Sequence, residues 1–377
     1  MINYTDFNTS LMQIMRIVGI DTSCDDTCIS IVDVKSQGSN VKSFEILSNV
    51  VSSQIKLHRR YGGVYPSLAK REHQKNLPIV LKKALKKGRV TQKNPRVNFL
   101  AVTIGPGLDP CLWQGINFTK EVAKRWNLPI IPVNHIEAHI LANWLVPIGS
   151  KSKIKNKKIE FPAVCLVVSG GHTQLILMRK IGQYKIIGET RDDAAGECFD
   201  KTARILGLPY PGGPAIAAEA AKFSVFSRIL RDSIKLPRPM INSKDYDFSF
   251  SGLKTAVLYD FKSRPKKERR SRAYIRAMAK EIQQAIIDVL IKKTIKAAKN
   301  YKAKSIILGG GVVANKELRK QLKEKIKKEI PNSQFLIPDS RLCTDNAAMV
   351  ALAGYFNRKK ATKNYQKIKA LANLRIN

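Results

Sequence analysis

His135 and His139 stand four residues apart in the run Asn134-His135-Ile136-Glu137-Ala138-His139. On a helix, positions i and i+4 share a face, so the two imidazoles can reach one cation. The chain holds five histidines, and two at this spacing favour a metal-ligand pair over two unrelated surface histidines. Two imidazoles leave the coordination incomplete, so a carboxylate must come from elsewhere. Glu137 is badly placed for it. Two residues after His135, it lies about 200° around a helix and points away. The protease pattern His-Glu-x-x-His needs its Glu directly after the first His, so a peptidase reading fits poorly.

A second group consists of turns made of small residues. Ser169-Gly170-Gly171 leaves backbone N–H groups unobstructed and able to approach anionic oxygens. Gly309-Gly310-Gly311-Val312-Val313-Ala314-Asn315 follows the apolar run Ser305 to Leu308 and precedes a helix from Lys316. A Gly-rich strand-to-helix turn suits a nucleotide or phosphate, although no G-x-G-x-x-G and no Walker lysine is present. Each turn alone reads equally as a plain tight turn; together they favour a nucleotide cleft. A third group, Asp192 to Lys201, carries four acids, followed by Tyr210-Pro211-Gly212-Gly213-Pro214. Asp200 is able to bind a ribose or substrate hydroxyl; helix-capping and surface acids are the plainer reading.

These groups need elements to hold them. Strands alternate with helices, which indicates an α/β protein. Ile17 to Ile20 is an apolar run ending in Asp21-Thr22-Ser23, after which Cys28 to Val32 resumes as a strand. The grammar returns at Ala163 to Val168, turn Ser169 to Thr173, and Leu175 to Met178, which suggests a duplicated architecture. Helices are expected over Glu121 to Trp126, Ala138 to Trp144 and Ala273 to Asn300. The last has an ordinary core face at Ile282, Ala285, Ile286 and Val289. Lys151 to Lys158 reads as a solvated basic linker.

The bulk composition bounds the rest. The length of 377 residues and 44% hydrophobic content suffice for two lobes. No apolar run approaches a membrane span, and no secretory signal opens the chain. The six cysteines contain no C-x-x-C pair, so zinc-knuckle and disulfide frameworks fail on spacing, and a reduced, cytoplasmic protein is expected. The formal charge of +38 favours a polyanionic partner, nucleic acid first. Compositional drift toward Lys, Ile and Asn accounts for the excess equally well.

The chain resembles the tRNA N6-threonylcarbamoyladenosine transferases, in their bacterial branch, a family once described as O-sialoglycoprotein endopeptidases. The resemblance runs from about Met15 to about Gly354. It rests on an ordered set: Gly19-Ile20-Asp21-Thr22-Ser23-Cys24-Asp25, Tyr61-Gly62-Gly63-Val64, Gly105-Pro106-Gly107, the His pair, Val168-Ser169-Gly170-Gly171-His172-Thr173, Asp192 to Lys201, Phe248 to Thr255, Gly310-Gly311-Val312 with Asn315, and Cys343-Thr344-Asp345-Asn346. It implies a two-lobed fold similar to actin, hexokinase and the heat-shock ATPases, with duplicated lobes around a nucleotide cleft. It implies an N-terminal extension over 1–14, lobe I over 15–150 with 345–377 returning to it, a linker over 151–160 and lobe II over 161–344.

By the same resemblance His135, His139 and Asp345 hold one divalent metal, iron(II) before zinc. Val167, Val168, Ser169, Gly170, Gly171, Asp200, Gly213 and Asn315 hold threonylcarbamoyl-adenylate. The implied reaction moves the threonylcarbamoyl group to N6 of the adenosine 3′ of the anticodon, in tRNAs reading ANN codons, with AMP leaving. A non-catalytic paralogue and a small ATPase are implied as partners. An ATPase or sugar kinase of the same fold, or a non-catalytic scaffold paralogue, are the competing readings. The chain departs from the family pattern at Asp21 and Asp26, where Glu is usual, at Ser67 for Glu, at Asp109-Pro110-Cys111, and in a tail, Leu371 to Asn377, lacking the usual Arg-Trp-Pro.

Overall fold

The computed structural model describes residues 12–37, 40–150, 159–223 and 234–377. The linker Lys151–Lys158 and residues 1–11 lie outside them. Contacts divide the chain into two compact units. The first takes the described residues of 1–54, 65–158 and 345–376; the second takes 55–64 and 159–344.

The first unit is built on strands β1 (Met12–Asp21), β2 (Asp26–Gln37), β3 (Asn40–Ser53), β4 (Phe99–Gly105) and β5 (Ile130–Asn134). Their order is β3-β2-β1-β4-β5. β1 is central, antiparallel to β2 and parallel to β4. Ile17, Val18 and Ile20 are all buried, because a central strand covered on both faces reads as a continuous apolar run. The first strand therefore begins earlier than Ile17: Met12, Gln13 and Ile14 already pair with Gln37, Ser36 and Lys35. Helices α1 (Pro66–Lys87), α2 (Asp109–Trp126) and α3 (His135–Leu141) follow in order. α2 starts twelve residues before the expected Glu121. Pro110 in its first turn needs no N–H donor, and Asp109 meets the positive end of the helix. The departure at Asp109-Pro110-Cys111 is thus a helix start.

The second unit repeats the plan with β6 (Ala163–Val168), β7 (Thr173–Lys180), β8 (Gln183–Glu189), β9 (Ser305–Gly309) and β10 (Gln334–Leu336). The order β10-β9-β6-β7-β8, read backwards, is that of the first sheet. Again the central strand pairs antiparallel with its successor and parallel with the strand beyond the crossover. The duplication suggested by pattern is therefore topological. Helices α4 (Ala195–Ile205), α5 (Gly212–Ala221), α6 (Ser251–Ser263), α7 (Arg272–Asn300) and α8 (Lys316–Glu329) cover it. Ile282, Ala285, Ile286 and Val289 of α7 are in its core, as their spacing indicates.

The chain then re-enters the first unit with α9 (Ala347–Phe356), whose residues Ala347 to Tyr355 are all buried. α9 lies against β1 so closely that a Cβ on Gly19 would stand 2.1 Å from the Ala347 carbonyl oxygen. The tail docks by backbone bonds: Leu371 donates to Ile104 at 2.7 Å, and Ala372 accepts from Gly107 at 3.0 Å. An Arg-Trp-Pro ending is not required for this contact. No helix among the described residues is long and apolar enough to cross a membrane.

Candidate functional site

The first cluster lies in the first unit. β5 ends at Asn134, whose side chain caps α3 by accepting from Ile136 and Glu137 N–H at 2.9 and 3.2 Å. That cap orders the first turn and presents His135 and His139 on one face. Glu137 is turned elsewhere, accepting from Asn357 Nδ2 at 2.7 Å, as its angular position requires. Asp345 stands just before α9, where Asn346 caps the helix by accepting from Met349 N–H at 3.1 Å.

The three side chains converge. His135 Nε2 and His139 Nε2 are 3.1 Å apart, and Asp345 Oδ1 is 3.4 and 3.2 Å from them. Ligand atoms on one ion at about 2.1 Å stand about 3.0 Å apart in octahedral and about 3.4 Å in tetrahedral coordination. The sides of the triangle, 3.1 to 3.4 Å, fall within the range expected of ligands sharing a single ion. Two imidazole lone pairs facing each other repel unless a proton or cation lies between them. The residues therefore fit one metal ion.

A second layer surrounds the triangle. Asp21 Oδ2 is 3.2 Å from His135 Nδ1, with Asp21 fully buried. A carboxylate behind a ligand histidine orients the ring and raises its basicity. Burial opposes the His135 cation, yet Asp21 and Asp345 outweigh it and lift its pKa to about 10. Burial and the neighbouring His135 lower that of His139. Asp26 is partly buried, and desolvation pushes its carboxyl up to about 7, opposed by Ser53 and reinforced by Asp345, Asp25 and Asp21. Asp21 and Asp26 were noted in the sequence only as shorter stand-ins for Glu. The contact of buried Asp21 with His135, and the partial burial of Asp26, are tertiary facts that no local pattern carries. Ser67, the other replacement, is exposed in the first turn of α1.

The second cluster lies in the second unit, at the C-terminal ends of parallel strands β6 and β9, where open α/β sheets take ligands. Val167 pairs with Gly309, so the two glycine turns are neighbours. Gly310 adopts φ +92 and its backbone lies against Val168: a Cβ there would be 2.3 Å from the Val168 oxygen. Ser169 accepts from Gly196 N–H at 3.2 Å, tying the turn to the start of α4. Asp200, on α4, accepts from Gly212 N–H at 2.6 Å, which sets Gly213. Asn315 caps α8 through Glu317 and Leu318 N–H and donates to Gln283 at 2.9 Å. Val167 and Val168 are buried strand ends, and beyond Gly170 and Gly171 a side chain would meet nothing within 4 Å. All eight residues expected to hold the adenylate thus lie in this second unit. Asp192 has a different task. It accepts from Ser249, Phe250 and Ser251 and fixes the start of α6.

A duplicated, two-lobed α/β fold of the actin and hexokinase type, carrying a two-histidine, one-carboxylate cluster, defines the class. The solved structure of HypF from T. kodakarensis shares this fold, with a TM-score of 0.55 over 93% of this chain and 49% of its own, at 12% identity. A family model for tRNA N6-adenosine threonylcarbamoyltransferase matches residues 45–352. A relative of that name from Thermosipho africanus is 42% identical over 367 residues, covering 96% of this chain and 100% of its own. One from Geobacillus thermodenitrificans is 45% identical over 338 residues, 90% of each. The chain belongs to the tRNA N6-adenosine threonylcarbamoyltransferase family, and is with it an acyltransferase.

Proposed function

We propose that this chain transfers a threonylcarbamoyl group from threonylcarbamoyl-adenylate to N6 of the adenosine 3′ of the anticodon, in tRNAs reading ANN codons. Family membership across nearly the whole length supports the reaction. The observation that carries the reading into this chain is the triangle of His135, His139 and Asp345. A scaffold paralogue has no need to keep it, and a sugar kinase has no use for it.

In this reading the N6 amine attacks the carbamoyl carbon. The new C–N bond forms as the C–O bond to the phosphate breaks, the amine loses one proton, and AMP leaves with the bonding pair. The glycine turns of Ser169 to Gly171 and Gly309 to Gly311 present backbone N–H groups to the adenylate phosphate, while Asp200 and Gly213 set the nucleoside side. His135, His139 and Asp345 would hold the metal, iron(II) before zinc, which when bound positions and polarises the threonylcarbamoyl group. Asp21 keeps the His135 ring aimed. The protein acts in the cytoplasm with a non-catalytic paralogue and a small ATPase.

The test incubates purified protein and helper proteins with threonylcarbamoyl-adenylate and unmodified tRNA, followed by nucleoside mass spectrometry. Threonylcarbamoyladenosine is expected. ATP-dependent phosphorylation of a sugar, with no modified nucleoside, would replace this reading by the kinase one.

A further inference from the structure

Residues 55–64 belong by contacts to the second unit although the chain on both sides of them belongs to the first. This excursion contains Lys56, Arg59 and Arg60 and no acid. It is a one-turn helix, Ile55–His58, followed by a tighter turn, Arg59–Tyr61. Gly62 closes the turn in the left-handed region at φ +64, donating to the Arg59 oxygen at 3.1 Å. Two side-chain bonds fasten it. Arg59 Nε donates to the Tyr210 oxygen at 3.2 Å, and Arg204 Nη2 donates to the Gly62 oxygen.

Both anchors are chain neighbours of residues assigned to the adenylate. Tyr210 stands two residues before Gly212, which Asp200 holds, and Arg204 is one helical turn beyond Asp200 on α4. The outer surface is cationic and aromatic. Arg59, Arg60 and Arg204 are exposed, Tyr61 is 47% exposed, and the Arg60 guanidinium lies 4.8 Å from the Tyr61 ring centre.

Position separates this patch from the other basic stretches: its two anchors, the Tyr210 oxygen and Arg204, are chain neighbours of Gly212 and Asp200. Arg264, in the run Lys262 to Arg272, is paired with Asp260 and Glu268. Lys201, beside Asp200, is paired with Asp193 and Glu197. Among the described residues no carboxylate pairs with Arg59, Arg60 or Arg204. Unpaired guanidinium groups match phosphates bidentately, and an exposed ring with an Arg beside it is a platform for an unstacked base. Lysine stretches without aromatic residues offer only the first of these.

We infer that Arg59, Arg60, Tyr61 and Arg204 form the surface that receives the single-stranded loop of the RNA substrate beside the adenylate site. This rests on the tRNA reading above and adds the place of docking. Arg59 and Arg60 take backbone phosphates, Tyr61 stacks a base, and Arg204 holds the segment in position.

The experiment titrates the full-length chain with a fluorescent anticodon stem–loop RNA over a series of salt concentrations. Arg59→Gln with Arg60→Gln should weaken binding about tenfold and flatten the log–log salt slope by about 1.4, at roughly 0.7 per phosphate contact on single strands. Arg60→Gln alone, which leaves the Arg59 anchor intact, should give about half that change in slope. Tyr61→Ala should weaken binding about tenfold while Tyr61→Phe retains it, since stacking needs only the ring. Adenylate affinity should stay constant in Arg60→Gln, Tyr61→Ala and Tyr61→Phe, and KM for tRNA should rise while kcat holds in the first two of these. Unchanged affinity and slope in the double variant overturns the surface. So does a loss confined to a helper protein's binding. Wild-type protein that binds the stem–loop through these residues yet modifies no tRNA would sink the functional reading and leave the surface standing.

Discussion

At the scale of the residue, His139 and Asp21 separate the metal from the rest of the site. His139→Ala removes one corner of a triangle whose sides are 3.1 to 3.4 Å. Metal content by elemental analysis should fall from about one ion per chain to a tenth or less, and transfer with it. Adenylate affinity should be unchanged, because the glycine turns share no bond with His139. Asp21→Asn keeps the shape but loses the charge behind His135. Metal affinity, read by chelator competition, should drop about 10–100-fold, with the fold intact by circular dichroism. Equal metal retention in both variants would mean that these side chains do not hold it.

Asp26 supplies a pH test in chelator-treated protein. Its folded pKa of about 7 lies above the ordinary 3.8. Between those values the unfolded chain has released the proton and the folded chain still holds it. Stability therefore falls as pH rises from about 4 to about 7 and is flat outside that window. Asp26→Asn should erase this component. Its advantage over wild type in urea unfolding should be near zero at pH 4 and reach at most about 4 kcal/mol at pH 8. An advantage that does not grow with pH would show that Asp26 ionises freely in the fold. The His pair was legible from spacing alone. Asp345 was legible only through resemblance, and the partners of Asp21 and Asp26 were not legible, since burial comes from residues distant in sequence.

At the scale of the element, sequence pattern located strands best where both faces are covered. β1 and β6 read clearly because nothing polar interrupts Ile17 to Ile20 or Ala163 to Val168. Boundaries were harder. The first three residues of β1 are held by pairing with β2, and α2 begins at Asp109-Pro110, a pair that reads equally as a turn. Residues 1–11 should be dispensable. Deletion through Ile14 also removes three cross-strand pairs, each worth about 0.2–1 kcal/mol, and should lower stability by about 1–2 kcal/mol in urea. Equal loss from both deletions would place essential contacts before Met12. Gly19 is the tightest joint between elements of the first unit. Gly19→Ala would set a methyl against the backbone of α9 and should cost about 3 kcal/mol or more. Metal should be lost in parallel, because α9 carries Asp345 at its start.

At the scale of the whole molecule, duplication was visible as two similar strand–turn–strand phrases, and the sheets share one strand order. The charge of +38 was read as tRNA binding or drift, and proximity to the residues assigned to the adenylate now ranks the stretches. Neutralising Lys262 to Arg272, which adjoins no residue assigned to the adenylate, should raise KM for tRNA less than the Arg59–Arg60 variant does. A larger effect from Lys262 to Arg272 would reverse that ranking. Sequence alone could not have made the distinction, since Arg59 and the Tyr210 it bonds are 151 residues apart in the chain.

The joint of α9 on β1 also bears on how the protein is made. About 200 residues separate His139 from Asp345, and at roughly 5–20 residues per second their synthesis takes about 10–40 s. Through that interval the emerging chain exposes two histidines without their carboxylate. The last helix to leave the ribosome completes the triangle, so loading with metal awaits the near end of translation. On the metal reading, a chain cut short before α9 would lack the third ligand, and its missing terminus would register as a missing ion.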